Sequence, residues 1–104
     1  MALLYIFWRC LIMTRQELER ISFKHAMRNY DEVKSSKRCA CYFCLQRFDS
    51  SKANYYITER DGIKTALCPF CSVDSVIGDA SGYDIDGDII TELNLWGFGI
   101  KVFD

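Results

Sequence analysis

Two Cys-x-x-Cys pairs constrain this chain more than any other feature. Cys41 and Cys44 form the first, Cys68 and Cys71 the second, and 23 residues separate them. A two-residue gap lets the backbone turn tightly with its amides aimed at the sulfurs. Four thiolates gathered this way close a tetrahedron around Zn²⁺, with Zn–S bonds of about 2.3 Å. Pro69 is the chain's only proline. It fixes φ in the second turn and removes an amide that would be misdirected. With cysteine at every corner no position is left for water. The expectation is therefore one structural Zn²⁺ on Cys41, Cys44, Cys68 and Cys71, whose binding energy is folding energy.

Several readings stay open at this stage. The segment Cys68-Pro-Phe-Cys71 is similar to a rubredoxin knuckle, which admits iron, although Ser72 stands where such knuckles usually place glycine. A redox dithiol pair is a third chemistry. Cys39 can replace Cys41 as ligand or remain a free thiol, and His25, the only histidine, can in principle substitute. Cys10 has no cysteine nearby in sequence and reads as a buried thiol.

A chain of 104 residues is one domain with a modest core, which an internal metal staple helps to hold. The net charge of −1 hides an asymmetry. Residues 1–60 carry 11 Lys/Arg and 6 Asp/Glu, whereas residues 61–104 carry 2 Lys and 8 Asp/Glu. The basic half can meet nucleic acid or dock on the acidic half of the same chain. The apolar opening MALLYIFWRCLIM has no basic leader and no small-residue cleavage site, and Arg9 interrupts it. It is too short to span a bilayer. A reducing, cytoplasmic setting without membrane contact is expected, where paired cysteines are metal ligands rather than disulfides.

Along the chain, residues 1–13 read as an apolar N-terminal extension and residues 14–104 as a single zinc-ribbon domain. Thr14 and Glu17 form a capping box that opens a helix over 14–34. Its inward face is Leu18, Ile21, Phe23, Ala26, Met27, Tyr30 and Val33. The zinc ribbon spans 39–72. Within it, strands at 54–58 and 63–67 are joined by an Asp61-Gly62 turn, so that a β-hairpin links the cysteine pairs. A loop and second helix occupy 73–98. That helix covers about 86–96, is capped by Asp84 or Asp86, turns Ile89, Ile90, Leu93 and Trp96 inward, and ends at Gly97 and Gly99. The short tail 101–104 can add a strand. The fold class is α+β: a small zinc-ribbon hairpin with two knuckles, flanked by an N-terminal and a C-terminal helix.

Other chemistries fail on pattern. A His-Me finger nuclease needs a histidine beside its zinc pairs, and a Ser-His-Asp or Cys-His site would have to recruit the remote His25. A zinc deaminase needs an H-x-E element, which is absent. Counting an EF-hand loop from Asp84 puts Gly87 fourth and Leu95 twelfth, where glycine sixth and glutamate twelfth are required. The glycines do not form a phosphate loop.

The stretches CACYFCLQRF and ALCPFCSVDSVIGDASGY, with a following helix that ends near Trp96, resemble a family of small bacterial and phage cytoplasmic proteins. The resemblance covers about residues 20–98. It implies a zinc-ribbon pattern but no activity. Ser72 and Asp84 depart from that pattern, which has glycine and proline there.

The functional expectation is a non-enzymatic, structural-zinc protein-interaction module, phage-encoded if the resemblance holds, with an unidentified protein partner. The segment Asp74–Gly82 is either its recognition loop or a core plug of Val76 and Ile77. The alternative is a nucleic-acid-binding ribbon. It would use Arg15, Arg20, Lys24, Arg28, Lys34, Lys37 and Arg38, with Arg20, Lys24 and Arg28 on one helical face to contact phosphates. A third reading is an enzyme that uses acidic groups near Asp74 and Asp79.

Overall fold

A computed structural model describes residues 13–99. The extension up to residue 12, including Cys10, and the tail 101–104 lie outside the described residues. Met13, placed in the extension by sequence, packs partly buried against the core, and its amide donates to Glu92 Oε1 at 2.8 Å.

The capping box forms as expected. Thr14 Oγ1 accepts from the Glu17 amide, and Glu17 Oε1 accepts from the Thr14 amide, both at 3.0 Å. It opens α1, Arg15–His25. The helix does not run on to 34. Arg28 adopts a left-handed φ of 51°, and α2, Tyr30–Lys34, restarts beyond the break. The cause is Asn29, which is buried. Its Nδ2 donates to His25 O and to Val76 O, both at 2.7 Å, and its Oδ1 accepts from the Ala66 amide at 3.0 Å. An asparagine that satisfies three backbone groups competes successfully with continued helix. The break also changes the inward face. Leu18, Ile21, Ala26 and Val33 are buried, Met27 and Tyr30 are half-buried, and Phe23, expected inside, is 59% exposed.

Five strands follow. β1 (Arg38–Cys41), β2 (Arg47–Asp49) and β5 (Val76–Gly78) make an antiparallel sheet in the order β2-β1-β5. β3 (Tyr55–Thr58) and β4 (Lys64–Leu67) make the expected hairpin, with Gly62 at φ 88° in its turn. The three-stranded sheet is covered on both faces, and β1 divides its side chains by strand alternation. Ala40, opposite Ile77, faces Leu18, Ile21, Ile90 and Leu93. Cys39 and Cys41 face Val33, Phe48, Ala66, Cys68 and Val76. The Asp74–Gly82 segment is thus a core element. Val76 and Ile77 are fully buried in β5, and a Cβ on Gly78 would collide with Ser36 and come within 3.3 Å of the Val33 backbone.

The last helix, α3, spans Asp88–Asn94 and continues as a wider helical turn through Leu95–Gly99. Ile89, Ile90 and Leu93 point inward as expected, and Trp96 packs half-buried on the same core. Neither expected cap is used. Gly87 occupies the cap position without a side-chain bond, while Asp84 Oδ1 accepts from the Asp86 amide and closes the preceding turn.

Asn29→Ala strands two buried backbone groups, Ala66 N–H and Val76 C=O. At about 1–3 kcal/mol for each, the expected loss is about 3 kcal/mol in chemical denaturation of the metal-loaded protein. A loss below about 1 kcal/mol would show that the helix break is set by something else.

Candidate metal centre

Each cysteine pair sits in the same turn. In the first, between β1 and β2, the Cys41 amide donates to Gln46 O at 3.0 Å, the Leu45 amide to Cys41 O at 2.8 Å, and the Phe43 amide to Cys41 Sγ at 3.4 Å. In the second, between β4 and β5, the Cys68 amide donates to Val73 O at 3.0 Å, the Ser72 amide to Cys68 O at 2.9 Å, and the Phe70 amide to Cys68 Sγ at 3.3 Å. The residue after each pair is left-handed, Leu45 at φ 65° and Ser72 at φ 67°. That geometry explains the preference for glycine at this position, which Ser72 overrides.

The two turns bring four sulfurs together. Cys41, Cys44, Cys68 and Cys71 Sγ all lie within 4.8 Å of one another. Cys41 and Cys71 are 3.6 Å apart and Cys44 and Cys68 3.7 Å. A tetrahedron with metal–sulfur bonds of about 2.3 Å has edges of about 3.8 Å. The cluster therefore has the dimensions of one four-thiolate metal site, and these four cysteines are positioned to hold one ion. Zinc and iron ask for nearly the same geometry, so chemistry rather than shape must separate them.

Electrostatics sort the thiols. Burial opposes the charge on Cys41, but the Ser75 hydroxyl at 3.1 Å, with the Cys44 and Phe43 amides, outweighs it and holds this thiol below its ordinary range. Burial, then the neighbouring sulfurs of Cys68 and Cys41, raises Cys44. Cys71 is pushed up to about 12 by burial and by its contacts with Cys41 and Cys68. The surroundings thus favour charge on Cys41 and oppose it on Cys44 and Cys71. Ser75 had no signal in the sequence. It is buried immediately before β5, and its carbonyl accepts from the Tyr42 amide at 2.9 Å.

The other candidate residues are not gathered here. Cys39 lies one strand repeat from Cys41 on the same sheet face, but its sulfur is turned toward Val33 O at 3.9 Å. Burial, then Asp79, pushes it up to about 12, so it stays a thiol. His25 pairs with Glu32 at 3.0 Å and meets Tyr83 edge-on. The expected basic face is broken. Arg20 and Lys24 remain exposed on α1, whereas Arg28 lies past the helix end, bound to Asp61 at 2.6 Å. Lys34 Nζ donates to Asn54 Oδ1 at 2.8 Å. Asp79 accepts from the Lys37 and Arg38 amides at 3.0 and 3.2 Å, which ties the segment after β5 to the start of β1. The basic and acidic halves do meet, since Arg38 and Arg47 both reach Asp86.

Comparison with protein-family models, with curated proteins and with solved structures yields no match for this chain. No helix among the described residues is long and apolar enough to cross a membrane.

Elemental analysis of single variants tests the ligand set. Cys41→Ala and Cys68→Ser should lose the metal, while Cys39→Ala should retain one ion per chain. Retention by Cys41→Ala would move the fourth ligand to Cys39. Metal affinity should also depend on pH with a definite sign. Because Cys44 and Cys71 are raised, binding must expel their protons. Affinity should then rise with pH and fall on acidification, and a competition titration showing no such slope would mean the ligands are not these thiols.

Proposed function

We propose that this chain is a small, non-enzymatic zinc protein. One closed four-cysteine ion ties two knuckle turns into a ribbon-like module, and the module serves as a protein-interaction surface. The observation that carries this reading is the all-thiolate cluster itself. Its four corners come from the protein, so an ion there has no vacant position at which to activate water. Zinc is favoured over iron because a redox-silent, tetrahedral ion suits a site whose role is to hold two turns together.

The interaction half of the proposal rests on the knuckle tips. Phe43 and Phe70, each third in its pair, donate their amides to sulfur and leave their rings 44% and 56% exposed. Leu45 adds a further exposed apolar side chain. Apolar groups carried on a rigid metal-bound turn lose little conformational entropy when a partner covers them. The nucleic-acid alternative retains Arg20 and Lys24, which flank the exposed Phe23, but has lost Arg28 from their face.

Protein purified without added metal should carry one zinc per chain and unfold when a chelator removes it. Iron with visible colour would redirect the site to electron transfer. On the metal-loaded protein, Phe43→Ala with Phe70→Ala should abolish capture of a protein partner that Arg20→Ala with Lys24→Ala leaves intact. The opposite result, with binding to nucleic acid that falls steeply as salt is added, would establish the alternative.

A further inference from the structure

We propose that β3 is a self-pairing edge, at which a second copy of this chain adds its own β3 antiparallel around a twofold axis through Ile57. The two hairpins then form one four-stranded sheet. This pairing does not depend on which metal the cysteines hold.

The strand is exceptional in its exposure. All four residues of β3, Tyr55-Tyr56-Ile57-Thr58, are exposed, with Tyr55 at 59%, Tyr56 at 42% and Ile57 at 43%. Among the described residues its only strand partner is β4. Aromatic and β-branched residues favour strands because they pack on neighbours, and Ile57 has little to pack on here. Edge strands are normally guarded by a charge, a proline or a bulge. None of these four residues is charged or proline, and the β3–β4 register runs unbroken from Tyr55↔Leu67 to Thr58↔Lys64.

The hydrogen-bond phase decides which backbone groups face outward. The Ala66 amide is turned away from β3 onto Asn29 Oδ1, and the Glu59 amide donates to Ile63 O at 2.9 Å. In an antiparallel ladder bonded and non-bonded pairs alternate. Tyr56↔Ala66 and Thr58↔Lys64 are therefore the non-bonded pairs, and Tyr56 and Thr58 point their N–H and C=O groups to the free edge. This set is complementary to itself. With Tyr56 opposite the partner's Thr58, both residues of each strand exchange N–H···O=C bonds, and Ile57 faces the partner's Ile57.

Strand pairing and charge select this register over its neighbours. With the axis at Ile57, Glu59 meets the partner's Tyr55 and Arg60 the partner's Asn54, so no like charges are opposed. An axis at Tyr56 makes Thr58 exchange bonds with the partner's Asn54, which lies outside the strand. An axis at Thr58 sets the apolar Ile57 and Tyr55 against the partner's Glu59 and Asp61. Directly opposed like charges destabilise a strand pair.

The test is the mass of the full-length, metal-loaded protein by light scattering across a concentration series. A dimer is expected. Ile57→Lys opposes two ammonium groups at the axis and should weaken association at least about tenfold, and Ile57→Glu should do the same with carboxylates. Mixing the two variants should restore a dimer, because opposite charges then meet at the axis. Thr58→Pro removes an outward N–H that the hairpin does not use, so it should also be monomeric while keeping one metal per chain. A wild-type monomer at every concentration would overturn the proposal. So would a dimer indifferent to Ile57→Lys, or a monomer whose Tyr56 and Thr58 amides shift only when an unrelated extended peptide is added. Loss of metal would instead count against the metal site and leave this pairing to be read from the mass.

Discussion

Four sulfurs cannot share so small a space as bare thiolates. Two unit charges 3.6 Å apart, as Cys41 and Cys71 would be, repel by about 4–5 kcal/mol at an effective dielectric of 20. Four mutually close thiolates present six such pairs. The amides of Phe43 and Phe70 and the Ser75 hydroxyl return about 1.5–3 kcal/mol each as bonds to charge, which does not balance the repulsion. The cluster must hold a cation or its protons. A bound divalent ion would turn that repulsion into attraction, and both knuckles bring their sulfurs to the one place where it could sit.

Asn29 is the polar counterpart of this centre. The three-stranded sheet and the hairpin do not hydrogen-bond to each other as strands. The Asn29 amide group stands between them, accepting from Ala66 of β4 and donating to Val76 of β5. A buried amide with both ends satisfied fixes the spacing of two elements as a strand would, but in one residue. Arg28 is left-handed beside it, and its amide donates to Thr65 Oγ1 at 2.8 Å, adding a second tie to β4. The helix break that sequence periodicity did not predict is therefore what attaches the hairpin to the body.

What the sequence made legible was whatever depends on local spacing. Thr14 and Glu17 announce their capping box, Asp61-Gly62 its turn, and the two cysteine pairs their cluster, because each geometry closes within a few residues. What it hid depends on contacts between distant segments. The 14–34 stripe is periodic enough for one helix, and only Ala66 and Val76, 37 and 47 residues away, reveal why it is two. The short strands β1, β2 and β5 carry too few residues to show alternation, and β1, buried on both faces, lacks it. Ser75 is an ordinary serine until β5 places it against Cys41. Arg20, Lys24 and Arg28 share a face only on a helix that does not continue.

The two knuckles are alike in their turns and unequal in their support, and this sets what the metal has to do. The first is fastened to the body independently of any ion. Tyr42 is buried and its hydroxyl meets Ser22 at 2.9 Å, and Asn94 Nδ2 donates to the Tyr42 carbonyl at 2.9 Å. Ser75 holds both the Tyr42 amide and the Cys41 sulfur. The second knuckle hangs between β4 and β5, and its Phe70 ring reaches the body edge-on at Phe48. The Asn29 bond at Ala66, the Arg28 bond at Thr65 and the burial of Cys68 among Val33, Cys41 and Val76 hold the β4 side of it. The two sides of the cluster are thus supported unequally. An ion held by the four sulfurs would add a tie between the second knuckle and a first knuckle that the core already holds, beside the Asn29 and Thr65 bonds that attach the hairpin.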